Sequence, residues 1–334
     1  MPRKLMKFLI LFDNTNLLFF PGQFLSGRVL LELQEDTPAL GLHFHVVGEG
    51  VVAAKTARQE RTYDKENYID FRMRLLGDAD SGPTVLSPGI HSFPFKLGLP
   101  LGLPSTFLGR HGWIQYYCKC ALRESSGLIH KNSQIFLILN PIDLNIEEPS
   151  LSDPFRCEIE PTLGGFACIS SGSVKCKIEL DRGGYVSGEN IVINGYVKNF
   201  SKVTIRHTKI VLLETIQYLS RGKIIQTEKR ELAQIKFPKI RSGGRDEFVN
   251  KKLYVPPLPP TNIRNSNIIR LNYDVYLIIE PKSMEKAIKL QLPIVLATYP
   301  FRSTNDVMTN WPDSVLKPDT HYPSSLPVFR PSTQ

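Results

Sequence analysis

The sequence predicts an all-β protein that consists of two tandem β-sandwich domains followed by a short tail. Runs rich in Val, Ile, Leu and Tyr recur along the 334 residues at a spacing of roughly 8–12 residues, and Pro and Gly separate them. Long helical periodicity is absent from the chain. Segments of the first half also reappear in the second half at a constant offset, which is typical of a duplicated unit.

The duplication is clearest at a glycine turn. The segment Phe20-Pro21-Gly22-Gln23-Phe24-Leu25 is matched 166 residues later by Val186-Ser187-Gly188-Glu189-Asn190-Ile191. Further along, Leu103-Pro104 recurs as Leu258-Pro259, and Pro141-Ile142 recurs as Pro293-Ile294. Two copies of about 150 residues each therefore fill nearly the whole chain, which suits two domains.

A rival alignment would bring Gly27 rather than Gly22 onto Gly188. Side chains of a strand alternate between its two faces, so a wrong register places apolar residues on the polar face. The rival alignment sets apolar Val29 against polar Asn190. We therefore keep the alignment that matches Gly22 to Gly188.

We expect one sandwich domain over residues 5–144, a linker at Asn145–Pro154, a second sandwich over residues 155–300 and a disordered, Pro-containing tail over residues 301–334. Asp13–Asn16 is expected to form a hairpin turn between Lys7–Phe12 and Leu17–Phe20. The other predicted strands of the first copy are Phe24–Leu33, Gly41–Val47, Tyr68–Leu75, His91–Lys96, Ile114–Leu122 and Gln134–Leu139. Those of the second copy are Val174–Leu180, Asn190–Val197, Lys209–Leu219, Lys223–Leu232, Asp246–Tyr254, Leu271–Glu280 and Lys289–Leu296.

The charge of the chain is unevenly distributed. Residues 1–150 hold 15 basic and 15 acidic side chains, so the whole net charge of +9 lies in the remainder. Residues 221–252 alone carry ten basic and four acidic side chains. Such a surface attracts anionic lipid, phosphorylated peptide or nucleic acid, although a solvated strand surface has the same composition. The residues that we predict to bind an anionic surface are Lys229, Arg230, Lys236, Lys239, Arg241, Arg245, Lys251 and Lys252.

Residues that could perform chemistry are sparse. The chain shows no nucleophile elbow, phosphate loop, paired-carboxylate site or metal cluster, so we expect no enzyme activity and no cofactor. His43 and His45 share one face of a predicted strand, but a zinc site would also need Cys118 and Cys120 nearby. The five cysteines have no framework spacing and are expected to be reduced thiols of a cytosolic protein. The N-terminal apolar run is too short for a signal peptide, and no run is long enough to span a membrane.

Several segments in order resemble those of the arrestin-domain-containing proteins, the alpha-arrestins. The loop before an aromatic strand reads Leu103-Pro104-Ser105-Thr106-Phe107-Leu108-Gly109-Arg110-His111-Gly112-Trp113-Ile114-Gln115-Tyr116-Tyr117. The other segments of the resemblance, which covers roughly residues 5–300, are Phe20–Val29, Gly184–Ile191, Val197–Ser201, Val255–Pro260 and Leu292–Ile294. The resemblance implies the arrestin fold, two immunoglobulin-like β-sandwiches in tandem.

The resemblance also implies a function. It describes a cytoplasmic, non-enzymatic adaptor for membrane-protein trafficking, including endocytosis and protein transport, with peripheral association at the plasma membrane or endosomes. Its partners would be membrane cargo proteins, such as receptors or transporters. The basic second half adds anionic membrane lipid as an expected partner. Alpha-arrestins commonly carry Pro-Pro-x-Tyr motifs that dock WW domains of ubiquitin ligases, and residues 302–334 contain none. A ubiquitin ligase is therefore expected only as an indirect partner.

An alternative function is a basic module that binds nucleic acid or anionic lipid through the C-terminal half. The chain lacks a basic recognition helix or an interleaved aromatic and basic reader motif, so we expect no nucleic acid partner.

Overall fold

The computed structural model describes residues 5–55, 61–77, 82–164, 170–282 and 286–302. Within these residues the regular structure is strand, apart from one 3-10 turn at Pro149–Ser152. The strands of the first half are β1 (Leu5–Phe12), β2 (Leu18–Phe19), β3 (Phe24–Leu33), β4 (Thr37–Lys55), β5 (Arg61–Leu76), β6 (Thr84–Leu86), β7 (Gly89–Gly98), β8 (Phe107–Leu108), β9 (Gly112–Glu124) and β10 (Ile129–Ile138). They form two sheets, one in the order β1-β3-β7 and one in the order β2-β10-β9-β4-β5, with β6 beside β4 and β8 beside β9.

The second half repeats this architecture. Its strands are β11 (Phe155–Ile159), β12 (Thr162–Gly164), β13 (Ser170–Leu180), β14 (Gly184–Val186), β15 (Asn190–Asn199), β16 (Ile205–Ser220), β17 (Lys223–Phe237), β18 (Arg245–Tyr254), β19 (Ile269–Pro281) and β20 (Ile288–Ala297). One sheet has the order β11-β13-β15-β18, with β12 beside β13, and the other has the order β14-β20-β19-β16-β17. The predicted fold class, two β-sandwiches in tandem, is confirmed.

The predicted register of the duplication is also correct. Leu25 and Leu31 of β3 are fully buried, as are Ile191 and Val197 of β15, which occupy the matching positions. Alternate residues of each strand therefore enter the core between the two sheets, as period-two alternation requires. Most of the buried apolar residues of both halves belong to one contiguous cluster, and Ile142, Leu144 and Ala297 form a second, smaller one.

The matched glycine turns have the same geometry. Gly22 has a φ of 85° and Gly188 a φ of 93°, both in the left-handed region that favours glycine. The side chain after each glycine closes the turn: the Phe20 N–H donates to Gln23 Oε1 at 3.0 Å, and the Val186 N–H donates to Glu189 Oε2 at 2.9 Å. In each copy the turn follows a short strand, β2 or β14, that runs parallel to the last strand of that copy.

A second matched pair anchors the proline-rich loops. The Tyr116 hydroxyl donates to the Pro104 carbonyl at 2.6 Å, and the Tyr273 hydroxyl donates to the Pro259 carbonyl at 2.9 Å. Both phenols are buried, so these bonds satisfy polar groups that would otherwise be costly. The Val255–Pro260 segment is thereby part of an interstrand loop.

The predicted hairpin at Asp13–Asn16 is wrong. β1 pairs with β3, whereas β2 pairs with β10 in the other sheet, so residues 13–17 carry the chain across the edge of the sandwich. Phe12 and Phe19, at the two ends of this crossing, meet edge-to-face in the core with ring centroids 5.7 Å apart. Burial of both rings in one core favours the crossing over a local hairpin.

The linker is bound to the segment that follows β20. Asn145 Nδ2 donates to the Pro300 carbonyl and Asn145 Oδ1 accepts from the Arg302 N–H, both at 2.9 Å. The Phe301 ring packs against a small apolar cluster that includes Leu144 and Leu151. The end of the second sandwich and the linker are therefore one packed unit. Residues 303–334, where we expect a disordered tail, lie outside the described residues.

Two carboxylates of β5 bind backbone amides of the second sandwich. Asp64 Oδ2 accepts from the Arg221 N–H at 2.9 Å, in the turn between β16 and β17. Glu66 accepts from the Asn267 N–H at 3.1 Å and from Asn267 Nδ2 at 2.8 Å. The Arg221 N–H is the main cause that holds the pKa of Asp64 below its usual value.

An apolar contact lies beside these bonds. A Cβ at Gly50 would lie 2.5 Å from the Tyr68 hydroxyl and 3.0 Å from Cδ1 of Ile268, a residue of the second sandwich. The lack of a side chain at Gly50 thus permits the close approach of the two sandwiches. We call the contacts of Asp64, Glu66 and Gly50 the interdomain contact.

Replacing Gly22 or Gly188 with Val should lower the free energy of unfolding by about 1–3 kcal/mol, because Val adopts a positive φ only with strain. The variants would be compared by chemical denaturation. At Gly188 no atom lies within 4 Å of the added Cβ, so the cost there is conformational rather than steric. Gly82→Val is the matched control, since its Cβ also meets nothing and its φ is not in the left-handed region. Equal denaturation midpoints for all variants would contradict the explanation.

Replacing both Asp64 and Glu66 with Ala should weaken the coupling between the two sandwiches, because it leaves two interdomain amides without acceptors. A hydrogen bond to a charged group contributes roughly 1–2 kcal/mol at a partly exposed site. Calorimetry should then show the unfolding transitions of the two sandwiches further apart in temperature. Asp70→Ala is the control, because that carboxylate lies on the same strand but binds His45 of the first sandwich. The same separation in the control would show that the effect does not come from the interdomain contact.

Candidate functional site

The eight predicted basic residues lie on one side of the second sandwich. Lys229, Arg230 and Lys236 belong to β17, an edge strand of one sheet. Arg245, Lys251 and Lys252 belong to β18, an edge strand of the other sheet, and Lys239 and Arg241 lie in the connection between the two strands. All eight are exposed. The structure thus brings the charge run to the edges of two facing sheets, which we call the basic edge.

Arg230 differs from the others because it neutralises a buried carboxylate. Its Nη2 lies 2.7 Å from Glu214 Oε2, and the Glu214 side chain is only 2% exposed. The Tyr273 hydroxyl lies 3.3 Å from the other oxygen of Glu214. A buried carboxylate without a partner is strongly destabilising, so Arg230 contributes to the fold as well as to the surface.

Two more of the eight differ from the rest in their surroundings. Arg245 lies 3.8 Å from Glu247, a long and exposed ion pair. Lys229 has no ion pair within 4 Å among the described residues, but it lines a cavity on the outer face of the β14-β20-β19-β16-β17 sheet. Among the described residues, the other five make no ion pair within 4 Å; they are Lys236, Lys239, Arg241, Lys251 and Lys252. These five are the cations that the basic edge offers to an external anion.

The cavity beside Lys229 was not predicted from the sequence. It has a volume of about 960 Å³ and lies between the sheet and the linker turn at Ser150 and Leu151. Its floor is polar, since Thr215, Gln217 and Asn272 line it. Polar residues alternate with buried apolar ones along β16 and β19, and that alternation is the signal that could have located the cavity.

The groups of the hypothetical zinc site lie on opposite faces of their sheet. Cys118 and Cys120 are buried in the core, whereas His43 and His45 are on the outer face, where His45 Nε2 lies 2.6 Å from Asp70 Oδ1. Burial raises the pKa of Cys118 above its usual value and that of Cys120 to about 12, so both thiols are protonated at neutral pH. Among the residues that the structure describes, no group of three or more His, Cys, Asp or Glu side chains could hold a metal ion.

The other cysteines also have the character of structural thiols. Cys157 and Cys176 are free, as are Cys118 and Cys120, and burial raises the pKa of Cys176 to about 12. Cys168 lies outside the described residues. Within the described part of the chain, no helix is long and apolar enough to cross a bilayer.

Two family models match the two sandwiches. "Arrestin (or S-antigen), N-terminal domain" matches residues 8–145, and "Arrestin (or S-antigen), C-terminal domain" matches residues 170–301. Together the two matches cover most of the chain, in the order of the sandwiches.

Curated proteins are similar over nearly the same length. Arrestin domain-containing protein 4 of Mus musculus is 29% identical over 304 residues, which are 88% of this chain and 72% of that protein. Arrestin domain-containing protein 17 of Caenorhabditis elegans is 25% identical over 309 residues, 88% of this chain and 71% of that protein. Arrestin domain-containing protein 1 of Homo sapiens is 26% identical over 288 residues, 85% of this chain and 63% of that protein. The chain belongs to the arrestin-domain-containing family, the alpha-arrestins.

Proposed function

We propose that this protein is a non-enzymatic cytoplasmic adaptor that engages cytosolic parts of membrane cargo, such as receptors or transporters, in endocytosis and sorting. Membership of the family supports a role as a trafficking adaptor. The observation that carries the finer proposal is the basic edge, where five cations without an ion pair to a described residue lie on β17, on β18 and in the connection between them. We also propose residues 5–144 and 155–300 as its working domains.

The basic edge suits peripheral association with an anionic membrane, at the plasma membrane or endosomes. A Lys or Arg close to such a surface contributes about 1 kcal/mol, and the contribution falls with added salt. Arg230 is excluded from this sum because it already neutralises Glu214. The five cations Lys236, Lys239, Arg241, Lys251 and Lys252 are enough for weak and reversible attachment, which suits an adaptor that must also leave the membrane.

The chemistry of the described residues supports an adaptor rather than an enzyme. The buried thiols have raised pKa values, so they are poor nucleophiles. The buried Glu214 carboxylate is held by an ion pair within the fold, and Asp274 accepts from Gln291 Nε2 at 2.7 Å. These groups have structural partners and need no substrate to explain them.

The alternative function, a nucleic-acid-binding module, would use the same cations. A nucleic-acid-binding module contacts many phosphates along the nucleic-acid backbone, so its affinity falls steeply as salt is added. Comparison of duplex DNA with vesicles under one salt condition separates the two functions.

Reversing two charges of the basic edge, with Lys251→Glu and Lys252→Glu, should weaken binding to phosphatidylserine vesicles in a sedimentation assay by about thirtyfold or more at low salt, because each lost lysine removes about 1 kcal/mol. Arg28→Glu with Lys96→Glu is the control, since it changes the net charge equally on exposed positions of the first sandwich. Equal weakening in both variants, or binding that ignores the phosphatidylserine content, would contradict membrane attachment through the basic edge. Tighter binding of the unaltered protein to duplex DNA than to vesicles would favour the alternative function.

A peptide of residues 302–334 should show no useful affinity for the WW domains of ubiquitin ligases. A WW domain holds two adjacent prolines in a polyproline turn and a following tyrosine in a second pocket. In this segment Tyr322 is the single tyrosine, and no proline pair precedes it. Calorimetric titration checks the expectation, and Asp319→Pro with Thr320→Pro, which completes the motif before Tyr322, is the positive control. Low-micromolar binding of the unaltered peptide that is lost on Tyr322→Ala would restore a direct link to the ligase.

A further inference from the structure

The outer face of the larger sheet in the first sandwich carries a local concentration of positive charge. On β9, Cys120 and Leu122 are buried in the core, so Ala121 between them faces away from it. Ala121 pairs with His43 of β4 on one side and with Lys131 of β10 on the other. Lys119 and Arg123 lie two residues before and after it on the same face.

The four basic residues therefore form a ring around one methyl group. Directly paired residues of neighbouring strands lie about 5 Å apart, and same-face residues of one strand lie about 7 Å apart. Lys119, Arg123 and Lys131 are exposed, and His43 is half-buried. The Ala121 methyl is shorter than the four side chains around it, so the middle of the ring is lower than its rim; we call this lower part the dip and the four surrounding side chains its walls. We call this set the alanine ring.

The surroundings of His43 are electropositive, as its pKa shows. Burial lowers the pKa of His43, and the nearby guanidinium groups of Arg74 and Arg123 lower it further. Among the described residues of β5 that pair with β4 near His43, Asp70 carries a carboxylate. That carboxylate is already bound, to His45 Nε2 at 2.6 Å and to Arg72 Nε at 3.3 Å. The charge of the alanine ring at neutral pH therefore comes from Lys119, Arg123 and Lys131, beside a mostly neutral His43 that a bound anion would favour protonating.

The Lys119 side chain is directed toward Tyr117, on the side away from Ala121. Its Nζ lies 4.7 Å from the centroid of the Tyr117 ring, a cation–π contact. Such a contact at an exposed site is worth about 0.5–1 kcal/mol, less than a charge-assisted bond to a phosphate oxygen. A ligand in the dip can therefore draw this side chain away from Tyr117.

The shape of the site selects the kind of anion. A compact anion with several charges can reach all four walls at once, whereas a single carboxylate cannot. A flat anionic bilayer would also meet Glu49 and Asp70, which lie on the same face and carry the same sign as the lipid. The site therefore fits a small molecule in solution better than a membrane surface.

We propose that the alanine ring, formed by His43, Lys119, Arg123 and Lys131 around Ala121, binds a small soluble polyanion with clustered phosphate groups. This goes beyond the adaptor role, because it assigns to the first sandwich a ligand site that is separate from the basic edge. It also places a phosphate ligand on the half of the chain whose net charge is zero.

The test is calorimetric titration of the full chain with tripolyphosphate at low salt. Arg123→Glu with Lys131→Glu should weaken binding by about tenfold or more, because two walls of the dip then repel the ligand. Lys251→Glu with Lys252→Glu changes the net charge equally on the basic edge and should alter the affinity less than about twofold. Equal weakening in both variants would overturn the proposal in favour of unspecific attraction.

An uncharged substitution distinguishes binding in the dip from general electrostatic attraction to a basic surface. Ala121→Met fills the dip without changing the charge, and its side chain faces away from the core. It should weaken tripolyphosphate binding several-fold while the unfolding temperature stays within the range of the unaltered protein. Unchanged affinity in this variant would overturn the proposal, as would tripolyphosphate binding no tighter than that of inorganic phosphate. Charge-reversal in the ring that affects binding to phosphatidylserine vesicles but not to tripolyphosphate would assign the ring to a membrane instead.

Discussion

Both sandwiches depend on a short strand that changes sheets. β2 and β14 lie beside the last strand of their own copy, whereas the next strand, β3 or β15, belongs to the facing sheet. The chain makes this passage through a turn whose glycine has a positive φ and whose next side chain caps a backbone N–H. The passage joins the beginning and end of each copy, so the core between the sheets is closed by covalent connection as well as by packing.

The sequence predicted those parts of the fold that local pattern controls. Alternation specified β3 over the residues that the structure shows, and the matched glycines specified the register between the copies. The crossing at residues 13–17 was missed because polar residues indicate a turn without indicating which strands pair across it. The path of the chain at this crossing depends on the contact between Phe12 and Phe19 in the core, and no local sequence pattern predicts that contact. The interdomain contact escaped for a similar reason, since Asp64 and Glu66 bind backbone amides, which have no signature in sequence.

The candidate sites show how far a charge count can be used. The excess in the second half located the basic edge, but the count could not show that Arg230 is held by a buried carboxylate. In the first half the counts of basic and acidic residues are equal, and the count there concealed the alanine ring. Alternation places His43, Lys119, Arg123 and Lys131 on one face, and cross-strand pairing brings them together. The sheet face and the strand register of a residue therefore determine where its charge acts. The net charge of the chain determines only the electrostatic potential far from the surface.

The attachment of residues 300–302 to the linker has a mechanical consequence. Asn145 binds both Pro300 and Arg302, and Phe301 is packed against Leu144 and Leu151. A force applied to the chain beyond Arg302 would therefore reach the protein first at these contacts with the linker. A partner attached beyond Arg302 would pull on the linker between the two sandwiches and not on their outer faces.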